Sequence, residues 1–218
     1  MLGLPKSTEF DKRIPKQKFY ERVDLPPKLK KAFQDQIKII YWRNKISATT
    51  MNLEKSNDVL EIQVIEIKLL TPDIDENILK RLDKDIPYHI VFVLTYENNH
   101  KLCIGYKAIS AKGTTSNIKK YYYTDWDVKE NFSFKLDGLS VNSVYKGIFL
   151  QVAGKNLRSI EHCNLKELIE KNIEIDKIEK KIKQLETKRN REQQLNKQFK
   201  INDEIKRLAN ELLSYTSE

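Results

Sequence analysis

Residues Pro87-Tyr88-His89-Ile90-Val91-Phe92-Val93-Leu94-Thr95-Tyr96, Glu97-Asn98-Asn99-His100 and Lys101-Leu102-Cys103-Ile104-Gly105-Tyr106-Lys107-Ala108 decide the fold class. The first and last runs are β-branched and aromatic, and the middle four residues are turn formers, so the stretch predicts an antiparallel hairpin with Pro87 marking its start. Upstream, Val59 to Leu70 has the same β character. Thr71-Pro72-Asp73 then opens a helical pattern through Asp85, with Ile74, Ile78 and Leu82 at steps of four. Downstream, Lys119 to Thr124 and Phe132 to Leu136 read as two further short strands. Val141 to Val152 carries Val144, Ile148 and Val152 on one helical stripe before Gly154. Strands and helices that alternate around a hairpin define an α+β class, with a small, mainly antiparallel sheet and packed helices.

Toward the N-terminus, Leu4 to Tyr20 mixes basic and aromatic residues without a sustained period and reads as an extended arm. Pro26 and Pro27 sit where a first helical turn tolerates them, and Leu29, Phe33, Ile37 and Ile40 follow at three- or four-residue steps, predicting a helix from Pro27 to Lys45. On that helix Lys31, Lys38 and Lys45 recur every seven residues away from the apolar stripe, flanked by Lys30 and Arg43, with Trp42 near the lysine side.

From Lys155 to Glu218 there is neither Pro nor Gly, and the composition favours long helix. Ile175, Ile178, Ile182 and Leu185 form one heptad stretch, and Ile201, Ile205, Leu208, Leu212 and Tyr215 form another. The polar run Thr187 to Gln194 interrupts the seam between them. A helical hairpin folding back near Lys188 to Gln194 and one coiled-coil helix of roughly 75 Å both accommodate this pattern. The hairpin is preferred because it buries both stripes without a second chain, while the long helix would oligomerise. The predicted organisation is an α+β domain over residues 1–158 and a helical tail over 159–218.

The hydrophobic fraction of 39% supports a core, and the charged fraction of 33% exceeds the usual share of about 25%. Met1 to Phe10 lacks a signal-peptide pattern, and no segment has the roughly 20 apolar residues of a membrane span, so neither secretion nor membrane integration is expected. Cys103 and Cys163 are far apart and cannot form a disulfide framework, which fits a cytoplasmic protein. The net charge is +9, and residues 1–50 alone hold twelve Lys or Arg against five Asp or Glu. A concentrated positive surface attracts nucleic-acid phosphates or an acidic partner.

Lys30, Lys31, Lys38 and Arg43 are therefore the candidate phosphate contacts. Tyr122 and Trp126, in the run Tyr121-Tyr122-Tyr123-Thr124-Asp125-Trp126-Asp127, are candidate stacking groups. Against this, one face of an alternating strand is core, and Trp126 would then plug a sheet end. A catalytic alternative is Glu66-Ile67-Lys68, an acid-x-Lys pair at the end of a strand, as in metal-dependent restriction-type nucleases using Mg. Such a site needs a second acid, and Asp58 lies eight residues away, roughly 26 Å along an extended strand, leaving Asp35 or another acid to be supplied by the fold. The ordinary alternative for Glu66 is a cross-strand charge pair. His89, His100 and His162 are scattered, which supports no metal site, and phosphate loops, dinucleotide glycine patterns and nucleophile elbows are absent.

Several motifs taken together carry a family likeness: Leu4-Pro5-Lys6 with Ile14-Pro15-Lys16, Ile40-Tyr41-Trp42-Arg43-Asn44-Lys45, Ile86-Pro87-Tyr88-His89-Ile90-Val91-Phe92, Ile104-Gly105-Tyr106-Lys107 and Tyr122-Tyr123-Thr124-Asp125-Trp126. With these in order, and with Ile201-Asn202-Asp203-Glu204-Ile205-Lys206 in the tail, the chain resembles the bacterial family called domain of unknown function 4391. The resemblance implies a gene near helicases and DNA methyltransferases in restriction or phage-defence clusters, and it supplies no catalytic residues. The expected function is an accessory subunit without enzymatic activity or cofactor, in which the basic body binds nucleic acid and the tail docks a helicase- or methyltransferase-type partner. The alternatives are the nuclease and a pure protein-interaction module.

Overall fold

The structure, a computed structural model, describes residues 2–21, 25–108, 117–128, 132–158 and 164–216. The chain divides into two compact units, Met1–Asn156 and Leu157–Glu218.

The first unit is a mixed sheet. Its strands are β1 (Glu9–Ile14), β2 (Ile37–Ser47), β3 (Glu61–Leu69), β4 (His89–Tyr96), β5 (Asn99–Ala108) and β6 (Asn117–Tyr123), side by side in chain order, with a short β7 (Asp127–Val128) also pairing with β5. All neighbours are antiparallel except β3 and β4. That parallel pair needs a crossover, and α3 (Glu76–Asp85) supplies it, capped by Asp75, whose side chain accepts from the Asn77 amide. The expected hairpin is β4–β5. Its connection is tighter than the sequence suggested: Tyr96 pairs with Asn99 and Thr95 with His100, so only Glu97 and Asn98 turn, Glu97 at φ +52°.

The predicted helix from Pro27 to Lys45 is corrected. Helix α1 (Pro27–Gln36) stops at Gln36, and Ile37 opens the eleven-residue strand β2, which runs into the single turn α2 (Ala48–Met51). Lys38, Arg43 and Lys45 therefore lie on a strand, and Trp42 packs against the core instead of flanking a lysine face. The arm is also more ordered than expected, because β1 within it forms the sheet edge against β2. Residues 132–138, expected to include a strand, follow an irregular path.

One sheet face packs against α1 and α3, through Phe33, Ile40, Ile65, Ile67, Leu79, Leu82 and Phe92. The other receives α4 (Val141–Ala153), whose Phe149 ring meets Tyr122 and Tyr106 and whose Tyr145 meets His89. Between these layers β3 is buried along nearly its whole length, the pattern of a central strand.

The second unit is a helical hairpin of α5 (Leu165–Arg191) and α6 (Leu195–Thr216). Ile175 and Ile178 of α5 and Ile201 and Leu208 of α6 are buried, and Lys181 reaches across to Glu204 at 2.9 Å. The chain reverses at Glu192-Gln193-Gln194, inside the polar interruption read from the sequence.

Candidate functional site

Alternation on β3 places Ile65 and Ile67 toward α1 and α3, and Glu66 and Lys68 on the opposite face with α4. Glu66 is fully buried near the carboxyl ends of the parallel pair, the place where open sheets position reactive groups. A buried carboxylate must be paired and hydrogen-bonded. Its Oε2 accepts from Arg43 Nε at 2.7 Å and Nη2 at 2.5 Å, and its Oε1 accepts from Thr95 Oγ1 at 2.9 Å. Thr95 Oγ1 also lies 2.9 Å from His100 Nδ1. On the solvent side Arg43 Nη1 pairs with Asp11. Burial opposes the guanidinium charge, yet the bonds to Asp11 and Glu66 outweigh it and raise the Arg43 pKa.

Two irregularities build this network. The β2–β3 register slips between Trp42 and Asn44, which frees Arg43 from strict alternation. The β1–β2 register slips between Glu9 and Lys12, and Asp11 takes a left-handed φ of +47° in that gap. The cross-strand charge pair weighed for Glu66 is what forms, but neither slip has a signature in residue type, so its partner Arg43 was not readable from the sequence. Glu66 in fact takes Arg43, while Lys68 and Arg43 sit 5.5 and 4.2 Å from the Tyr41 ring.

Chemically, this arrangement is charge-compensated. A divalent ion at Glu66 would have to displace Arg43 from Oε2, and among the described residues no group of three or more His, Cys, Asp or Glu is placed to hold a metal. The acids weighed as partners lie elsewhere: the Asp58 backbone hydrogen-bonds the His89 ring at the start of β4, and Asp35 lies near Lys16 on the α1 side.

The expected phosphate contacts separate into two groups. Lys30 and Lys31 on α1 and Lys38 at the start of β2 are exposed, as is Lys28, and among the described residues none of the four has a carboxylate ion-pair partner. Lys28 was not singled out from sequence, although it stands one helical turn before Lys31. Arg43 is committed to Glu66 and Asp11 and leaves the group. Tyr122 is only 1% exposed and packs on Phe149, which removes its ring from stacking on a ligand. Trp126 is half-buried against the core, with Lys101 Nζ 5.8 Å from its ring. It belongs to the β5 region, three strands and roughly 14 Å from β2.

The fold and site thus define an α+β protein with a mixed sheet, an internally neutralised acid-x-Lys strand and an open lysine face. The chain belongs to the family Domain of unknown function (DUF4391), whose model matches residues 2–212. Comparison with curated proteins and with solved structures finds no match for the chain. No helix among the described residues is long and apolar enough to cross a membrane.

Proposed function

We propose that this chain is a nucleic-acid-binding accessory subunit of a cytoplasmic restriction or phage-defence complex, holding phosphates on the face of α1 and the first residues of β2. The observation that carries this reading is the exposure of Lys28, Lys30, Lys31 and Lys38 without carboxylate partners among the described residues. Ammonium groups left free by the protein's own acids are available to release counterions from a polyanion. The neutralised state of Glu66 favours binding over hydrolysis, and the family likeness supports a helicase- or methyltransferase-type partner held by the helical pair.

The test is a titration of labelled duplex and single-stranded DNA across a salt series, with and without magnesium. Lys30→Glu, Lys31→Glu and Lys38→Glu together should weaken binding and flatten the slope of log affinity against log salt by about 2 to 3, as expected for three lost phosphate contacts. Unchanged affinity and slope would overturn the assignment. Magnesium-dependent cleavage that disappears in Glu66→Ala would instead establish the nuclease, with Arg43 swinging aside to admit the ion.

A further inference from the structure

We propose that the bend of the C-terminal helical hairpin is a docking surface for an acidic segment of a partner protein that also carries apolar side chains. This deepens the partner-docking part of the reading above and rests on it. In the first turn of α6, Leu195 is 67% and Phe199 63% exposed, a large apolar surface for two adjacent side chains. Four residues apart, at about 100° per residue, they share one face of the helix, turned well away from the Ile201 and Leu208 seam that α6 shares with α5.

The surroundings are basic. Residues 188–200 contain Lys188, Arg189, Arg191, Lys197 and Lys200 against a single acid, Glu192. Glu192 is already engaged: its Oε1 accepts the backbone N–H groups of Gln193 and Gln194, at 3.1 and 3.0 Å, where the chain enters α6. Among the described residues Lys188, Arg191, Lys197 and Lys200 form no ion pair. A groove of about 340 Å³ lined by Gln184, Thr187, Lys188, Arg191 and Glu192 gives an incoming carboxylate side chain a recess beside two cations.

The chemistry selects among occupants. Phosphates would satisfy the cations but leave Leu195 against water, since a leucine offers no stacking face to a base. A second copy of the bend would bring like charges together. An acidic segment with apolar residues three or four apart covers the leucine and phenylalanine and meets the lysines in one contact.

The experiment selects a random phage-displayed peptide library on the full chain and titrates synthetic copies of the enriched peptides. Enriched peptides should combine Asp or Glu with apolar residues at helical spacing. Leu195→Ser with Phe199→Ser should weaken them by roughly tenfold or more, and Lys188→Glu with Lys197→Glu and Lys200→Glu should abolish the salt-sensitive part of binding. Both sets of substitutions are at exposed positions, and unchanged helical circular dichroism verifies the hairpin. Absence of enrichment, or peptides that bind the variants as they bind the wild type, overturns the proposal. Duplex DNA is titrated against the same variants. If the bend variants lose DNA affinity instead of peptide affinity, the bend is a nucleic-acid surface and the proposal also falls. If no protein binds DNA while the peptides behave as expected, the nucleic-acid reading alone fails.

Discussion

At the start of β4 the His89 ring lies 4.3 Å, centroid to centroid, from that of Tyr145. Burial, reinforced by the nearby Lys107 charge and opposed by a backbone hydrogen bond with Asp58, lowers its pKa from 6.5 to about 4. The unfolded chain takes up this proton near pH 6.5, whereas the folded one resists until about pH 4. The folded state is therefore at full advantage above the unfolded value and loses it as the pH falls toward the folded one. Between pH 6.5 and 5 the loss is about 2 kcal/mol, at roughly 1.4 kcal/mol per pH unit. Urea denaturation at pH 7 and pH 5 should show this drop, and His89→Phe should remove it. An unaltered drop in His89→Phe would assign the effect to other groups. Sequence read His89 only as one of three scattered histidines, because its burial depends on α4, which lies about fifty residues away in the chain. The same limit hid the pairing at Glu66: the acid-x-Lys pattern was legible, but the Arg43 bulge that neutralises it was not. Strand alternation did show that Tyr122 and its neighbours face opposite ways, and only the packing of Phe149 fixed which side is core.

The boundary between α1 and β2 shows how an element can mislead. Leu29, Phe33, Ile37 and Ile40 keep helical spacing, and Phe33, Ile37 and Ile40 all reach the core, yet the helix ends after Phe33's turn. Long-range contacts stop it. The Leu70 amide donates to the Gln36 carbonyl at 2.9 Å, Gln36 Oε1 accepts the Asp75 amide at 2.7 Å, and Lys16 Nζ caps the carbonyls of Phe33, Gln34 and Ile37 at 3.3, 3.1 and 2.6 Å. The local sequence permits either conformation, and tertiary partners choose. The crossover α3 was legible because its apolar stripe is local, although the helix opens at Glu76 behind the Asp75 cap and not at Thr71-Pro72-Asp73. Its anchor was not: Asp83, 1% exposed at its side chain, meets Lys107 of β5 at 3.0 Å and accepts from the Tyr121 hydroxyl at 2.5 Å. Burial raises the Asp83 pKa against the opposing pull of Lys107 and Tyr121. Lys107→Met, which strands that carboxylate beneath α3, should cost about 3 to 5 kcal/mol in urea denaturation. The Asp83→Asn, Lys107→Met double substitution should recover most of the loss. Additive losses in the cycle would show that the two groups do not act as a pair.

At the scale of the molecule, the heptad stripes and their polar interruption foretold the two-helix tail, and the charge count along the chain foretold where the excess lies. Charge counts cannot say which cations are free, since Arg43 and Lys107 are counted with Lys30 and yet are consumed by internal acids. Among the exposed cations of the described residues, two groups stand out, the α1 and β2 lysines of the first unit and the basic hairpin bend of the second. If these are two sites with different ligands, substitutions at one leave the other's affinity unchanged. Charge reversal at Lys30, Lys31 and Lys38 should weaken duplex DNA and spare the acidic peptides, and reversal at Lys188, Lys197 and Lys200 should do the converse. Saturating DNA should not displace a labelled peptide. Loss of both ligands with either set, or displacement of peptide by DNA, would mean that one diffuse positive field serves any polyanion. The sparing of each ligand by the other's substitutions would instead show that the chain can hold nucleic acid and a partner protein at once, as an accessory subunit joining an enzyme to its substrate must.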